Sequence, residues 1–276
     1  MREGPAAMHP TTDADRGAPA RRRRRSAGGW LADAWYRVAF WICLAVFGLL
    51  CLAWSLPASV LYRVLPRGRG QGLGQFMIMA GFRCFIGVMR ATGVLRVDFS
   101  AVDRLRGEAG VVVAANHPTM LDAVLLVSRL PRVVCILKAS LWDNAFLGGG
   151  ARLAGYVQND APLPMIRRAA EAVRAGRQLL IFPEGTRTAR PPVGPFTRSF
   201  AVVARQAGAP VRTLVIEADS PYLRKGWPLF RRPRLPLVYR IRPGPRFEAP
   251  ADPEGFVAGL EDWFREELRR GTPGPR

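Results

Sequence analysis

Histidine, lysine and cysteine are all scarce in this 276-residue chain. Only His9 and His117 are histidines, and His9 lies in a leader containing Pro, Thr and Asp, so any imidazole chemistry rests on His117. Among 41 basic residues only Lys138 and Lys225 are lysine. With only 21 acidic residues, the formal net charge of +20 implies affinity for an anionic surface, either membrane phospholipid or nucleic acid. The cysteines Cys43, Cys51, Cys84 and Cys135 sit in apolar stretches and form no C-x-x-C pair. That pattern excludes a disulfide framework and leaves four small apolar side chains. No metal site is suggested.

Charge is absent altogether from Val38 to Tyr62, where Phe40, Trp41, Ile42, Leu44, Val46, Phe47, Leu49, Leu50, Leu52 and Trp54 crowd together. About 20 such residues span a bilayer as a helix, and Trp30, Trp35, Tyr36 and Trp54 stand near the ends where interfacial aromatics belong. The run is long for a cleavable signal peptide and no clear small-residue cleavage site follows it, which favours a retained anchor. Arg37 precedes the run and Arg63, Arg67 and Arg69 follow it, so flanking charge does not choose an orientation. A second apolar segment from Phe76 to Leu95 carries Arg83 and Arg90 on one helical face, the pattern of an interfacial helix or of a hairpin with the first. Three regions are thereby expected: a disordered basic arm over residues 1–29, with Arg21 to Arg25 at headgroup level; membrane-anchoring helices over 30–95; and a third domain over 96–276.

Two short blocks in that last region carry chemistry. The apolar run Val111 to Ala115 reads as a buried strand and leads into Asn116-His117-Pro118-Thr119-Met120-Leu121-Asp122, after which a helix begins. Pro118 bends the chain after His117, and Thr119 is placed to N-cap the helix carrying Asp122. A carboxylate holding one imidazole nitrogen leaves the other as an acceptor, as a general base requires. The second strand, Gln178 to Phe182, runs into Pro183-Glu184-Gly185-Thr186-Arg187. Gly185 allows close backbone approach to a ligand, Thr186 supplies a hydroxyl and Arg187 a guanidinium fork suited to phosphate or carboxylate. Taken singly, each block has a plainer reading: a satisfied structural histidine, and a strand-ending turn with a surface arginine.

Taken together, in this order and with Phe182 placed 65 residues after His117, the two blocks resemble the glycerolipid acyltransferase family typified by bacterial 1-acylglycerol-3-phosphate acyltransferase. The resemblance covers residues 90 to 220. It implies an α/β fold, a mostly parallel or mixed sheet flanked by helices, and acyl transfer from acyl-CoA or acyl-carrier protein to a lipid hydroxyl such as that of a lysophospholipid. It assigns base and orienting carboxylate to His117 and Asp122, and substrate contacts to Asn116, Phe182, Pro183, Glu184, Gly185, Thr186 and Arg187, with no cofactor beyond the acyl donor. A cytoplasmic donor places the domain on the cytoplasmic face of the inner membrane.

The chain departs from the family pattern in two places. Gln158-Asn159-Asp160 stands where an arginine is expected to grip the acceptor phosphate, and Arg167 or Arg168 on the following helix are the candidate substitutes. Arg212-Thr213 replaces a Val-Pro pair where the acceptor pocket is expected. These departures leave open an acyltransferase for a specialised lipid, such as an aryl-polyene lipid, or a degenerate lipid-binding homologue. Residues 221 to 250 interleave Trp227 and Phe230 with arginines and read as loop with one possible strand at Leu237 to Ile241. Such interleaving also suits single-stranded nucleic acid, but next to an anchored acyltransferase it reads as a membrane-facing patch and no nucleic-acid partner is expected.

Overall fold

The computed structural model describes residues 27–271, and the basic run Arg21 to Arg25 lies outside them. Two helices open the described chain: α1, Ala27–Val64, and α2, Arg67–Ala91. α1 thus begins inside the stretch expected as arm. Both are long and apolar enough to cross a membrane. On α1 the side chains of Trp41, Ile42, Leu49, Leu56 and Val60 are exposed, an apolar face that water alone would not favour.

The remaining elements are β1 (Leu95–Val97), α3 (Ser100–Asp103), β2 (Val111–Ala115), α4 (Leu121–Val127), β3 (Val133–Lys138), α5 (Ala139–Trp142), α6 (Gly148–Leu153), β4 (Val157–Asn159), α7 (Pro162–Arg174), β5 (Gln178–Ile181), α8 (Ser199–Ala207), β6 (Val211–Ala218), β7 (Leu237–Phe247) and α9 (Pro253–Gly271). The strands form one seven-stranded sheet in the order β1-β7-β6-β2-β5-β3-β4. All neighbours are parallel except β6 and β7. Every residue of β2 and of β5 is buried, as continuous apolar runs are when helices cover both faces of a parallel sheet. α9 starts where Asp252 accepts the amides of Glu254 and Gly255, and buries Val257, Leu260, Phe264 and Leu268 against the sheet layer.

From Tyr36 to the end of the described residues the chain forms one compact unit, and residue 95 falls inside it. α2 packs on α4 and α6, and buried Gln75 donates to the Ala154 carbonyl at 2.9 Å and accepts from Arg177 at 2.7 Å. Gly148, Gly149 and Gly150 lie in the helix α6. Its glycines serve packing: a Cβ at Gly149 would lie 2.2 Å from the Ser55 carbonyl oxygen of α1, and one at Gly74 of α2 would lie 2.5 Å from the Ala154 amide. β7 also exceeds the expected strand. Pro243 and Pro245 are tolerated in it because β1 pairs only with Leu237 to Tyr239, leaving the proline stretch beyond that ladder.

Candidate active site

β2 and β5 are adjacent and parallel, with Ala114 level with Ile181, so the two motif blocks leave the sheet side by side on its carboxyl edge. Their contacts begin at once. The His117 amide donates to Glu184 Oε1 at 3.2 Å, the Thr188 amide donates to the His117 carbonyl at 2.8 Å, and the His117 ring stacks on Phe182 at 3.8 Å between centroids and 13° between planes. The imidazole has backbone, ring face and Nδ1 all held.

Nδ1 faces Asp122 Oδ2 at 2.9 Å, with the Asp122 side chain fully buried and that of His117 15 % exposed. Thr119 completes the carboxylate's shell: its amide donates to Oδ2 at 2.7 Å and its hydroxyl to Oδ1 at 2.7 Å. Since that hydroxyl proton is committed to Asp122, Tyr239, whose phenol lies 2.8 Å from Thr119 Oγ1, is the donor to it. The chain of donation Tyr239 to Thr119 to Asp122 fixes an acceptor at Nδ1–H and leaves Nε2 as the basic nitrogen; among the described residues nothing hydrogen-bonds Nε2. Burial pushes the Asp122 carboxyl above the usual range, opposed by its bonds to His117 and Thr119. Burial, with the Asp122 charge nearby, pushes the Tyr239 phenol up as well. The expected Thr119 cap is not made: no side chain caps α4, because the hydroxyl is turned inward to the carboxylate.

Of the other residues expected at the substrate, Asn116, Pro183 and Glu184 make bonds that hold the two loops and the sheet together. Asn116 is buried, its side-chain NH2 donating to the Ile216 carbonyl at 2.8 Å and its side-chain oxygen accepting the Ile216 amide at 2.7 Å, so it clips β2 to β6. Glu184 accepts from His117 and Thr188 on one oxygen and from the Gly194 amide on the other, bracing both loops. Pro183 is buried and its carbonyl accepts from Thr197. Gly185 stands at φ +65° with an exposed backbone, a conformation side chains resist. Thr186 is half-buried beside it. Arg187 reaches from this block to the Leu223 carbonyl at 3.0 Å and that of Arg224 at 3.1 Å. Leu223 has φ 60° and also accepts the Met120 amide at 3.1 Å, so a strained residue is tied to both motif blocks.

Residues 96–217 match the protein family described as Acyltransferase. The 1-acyl-sn-glycerol-3-phosphate acyltransferase of Pseudomonas aeruginosa is 23 % identical over 209 residues, 72 % of this chain and 79 % of that protein. The human 1-acyl-sn-glycerol-3-phosphate acyltransferase beta is 27 % identical over 194 residues, 66 % of each. The crystal structure of the 1-acyl-sn-glycerophosphate acyltransferase PlsC from Thermotoga maritima shares the fold, with a TM-score of 0.62 at 17 % identity over 89 % of this chain and 99 % of that one. The chain is similar to the glycerolipid acyltransferases, with the family match confined to residues 96–217.

The two departures from the family pattern have different outcomes. Gln158 to Asp160 end β4 on the same carboxyl edge as His117, three strands away, about 14 Å at ordinary strand spacing. There Arg168 does bring a guanidinium, bonding the Gln158 carbonyl at 3.3 Å, but Asp160 pairs with it. Arg167 points elsewhere, 71 % exposed and 3.9 Å from Glu171. Arg212 is not in an acceptor pocket: it lies at the start of β6, at the edge opposite His117, where Glu108 holds its Nε at 2.8 Å. Thr213 is buried and donates to the Pro245 carbonyl at 2.7 Å. Tyr239 was the member of this hydrogen-bonded chain least visible in the sequence; its one signal was a tyrosine among the apolar residues of a strand, whose phenol needs a partner when buried.

Proposed function

We propose that this acyltransferase moves a fatty acyl group from acyl-CoA or acyl-carrier protein to the free hydroxyl of a lysophospholipid, with 1-acylglycerol-3-phosphate the reference acceptor. His117 Nε2 takes the hydroxyl proton as that oxygen attacks the thioester carbonyl; the carbon–sulfur bond breaks, and the thiolate leaves with the proton returned by the imidazolium. Asp122 holds the imidazole's tautomer and offsets its transient charge. No covalent acyl-enzyme and no resident cofactor enters the step. Gly185, Thr186 and the free edge of Arg187 position the acceptor, while α1 and α2 hold the domain to the cytoplasmic leaflet of the inner membrane, where lipid acceptors reside.

The observation that carries this reading is the buried chain from Tyr239 through Thr119 and Asp122 to a histidine whose outer nitrogen is open. Membranes carrying the protein or His117→Ala, given labelled acyl-CoA and acyl-carrier protein with a panel of lysophospholipids, test it. Transfer should fall at least about a hundredfold in the variant, while flotation with vesicles is unchanged. Retained transfer refutes the base assignment. An acceptor other than a phosphomonoester is the second reading, favoured by the pairing of Arg168 with Asp160, which offsets that guanidinium's charge at the end of β4.

A further inference from the structure

Between Ser220 and the start of β7 the chain leaves the sheet edge and runs along α1. Residues 221–236 contain five basic side chains, Arg224, Lys225, Arg231, Arg232 and Arg234, and no acidic one. The loop is held by its own geometry: the Trp227 indole donates to the Arg231 carbonyl at 2.9 Å, and the Arg231 guanidinium lies 5.0 Å over the Trp227 ring. At its tip Leu229 and Phe230 are 47 % and 67 % exposed.

Two aromatic contacts set this tip at one level of α1. Phe230 stacks on Trp41 at 6.1 Å and 19°, and Tyr222 meets Phe40 edge-on at 5.9 Å. Trp41 is itself 53 % exposed and neighbours the exposed Val38 and Ile42. An apolar tip continuous with the lipid-facing surface of α1, rimmed by four exposed cations, matches the interface of an anionic leaflet: rings at the acyl boundary, guanidinium groups among the headgroups. We propose that residues 224–234 form a second membrane contact, in which Leu229 and Phe230 enter the interface beside Trp41 while Arg224, Lys225, Arg231 and Arg234 bind anionic phospholipid headgroups. The proposal rests on the membrane-anchored reading of α1. Its consequence is mechanical, because Leu223, at the root of this loop, is bonded to Met120 and Arg187. Seating the loop on the leaflet therefore sets the height of His117 above the lipid.

The test uses the full chain with Cys51→Ala and Cys84→Ala, and Leu229→Cys carrying an environment-sensitive probe. Flotation and quenching by brominated lipid are measured with neutral phosphatidylcholine vesicles and with vesicles containing phosphatidylglycerol. The protein should float with both. The probe should be quenched by lipid, with the phosphatidylglycerol requirement rising about fivefold for each of Lys225→Glu and Arg234→Glu. A protein that floats with its probe open only to aqueous quencher overturns the loop contact and leaves the anchor standing. Quenching indifferent to anionic lipid overturns the headgroup assignment. A protein that fails to float removes the anchor and the proposal together. Single-stranded RNA that binds the loop in place of vesicles reassigns the patch to nucleic acid and overturns it too.

Discussion

Thr119→Val removes one oxygen from the interior and keeps the side chain's shape. The hydroxyl makes two bonds, donating to Asp122 Oδ1 at 2.7 Å and accepting from Tyr239 at 2.8 Å. Losing the first withdraws a donor from a buried carboxylate, about 1.5–3 kcal/mol; losing the second strands a phenol that is 3 % exposed, about 1–3 kcal/mol. A total of roughly 3–5 kcal/mol lowers the melting temperature by about 10 °C in detergent. The pH dependence has a definite sign. Burial already raises Asp122 in the fold, so the stability tied to this group is present below the unfolded carboxylate pKa and is lost as pH rises through the folded one. Withdrawing the Thr119 donor raises the folded value further and deepens that loss. Activity needs the ionised carboxylate on His117 Nδ1, so the acid limb of the kcat/KM profile moves to higher pH in Thr119→Val and returns in Thr119→Ser. Tyr239→Phe, which keeps the Thr119–Asp122 bond, costs only about 1 kcal/mol and shifts the limb less. An unchanged melting temperature and acid limb in Thr119→Val would refute the relay.

Asn116→Ala cuts both bonds between β2 and the Ile216 backbone and should destabilise by about 2–4 kcal/mol, read by thermal unfolding; a near-neutral result would show that the clip is dispensable. Gly74→Ala drives a methyl to within 2.5 Å of the Ala154 amide and should cost about 1–3 kcal/mol through displacement of α2 from α6. The corresponding change at Gly72, where a Cβ meets nothing within 4 Å, should be tolerated. Asp160→Asn releases Arg168 from its carboxylate partner and should raise kcat/KM for phosphomonoester acceptors relative to neutral ones; an unchanged ratio would separate Arg168 from acceptor choice.

The juxtaposition within each block was legible because it is local. His117 and Asp122 are five residues apart across one bend, and Phe182 to Arg187 follow a strand whose apolar run declares its burial, so residue type and spacing suffice to pair the imidazole with the carboxylate and to place the loop. Parallel strands of this kind are buried on both faces, and their runs read plainly. The membrane-length segments were legible for the same reason: length and absence of charge are properties of sequence alone.

Partners brought from afar were decided by the tertiary structure. Tyr239 reaches Thr119 across 120 residues and Asn116 reaches Ile216 across 100, contacts that depend on strand order and on the antiparallel insertion of β7 beside β6. Polarity along the sheet put Arg212 at the edge away from His117, although the sequence places it in the strand expected to line the pocket. The three glycines of α6 resemble a loop in one dimension, but they lie in a helix whose neighbours leave no room for side chains, α1 at Gly149 and Gly150 and the Trp142 carbonyl at Gly148. Composition and spacing determined which residues can react and which segments can enter lipid; the sheet's order and direction determined which of them meet, because backbone pairing across the sheet, and no local preference, sets those distances.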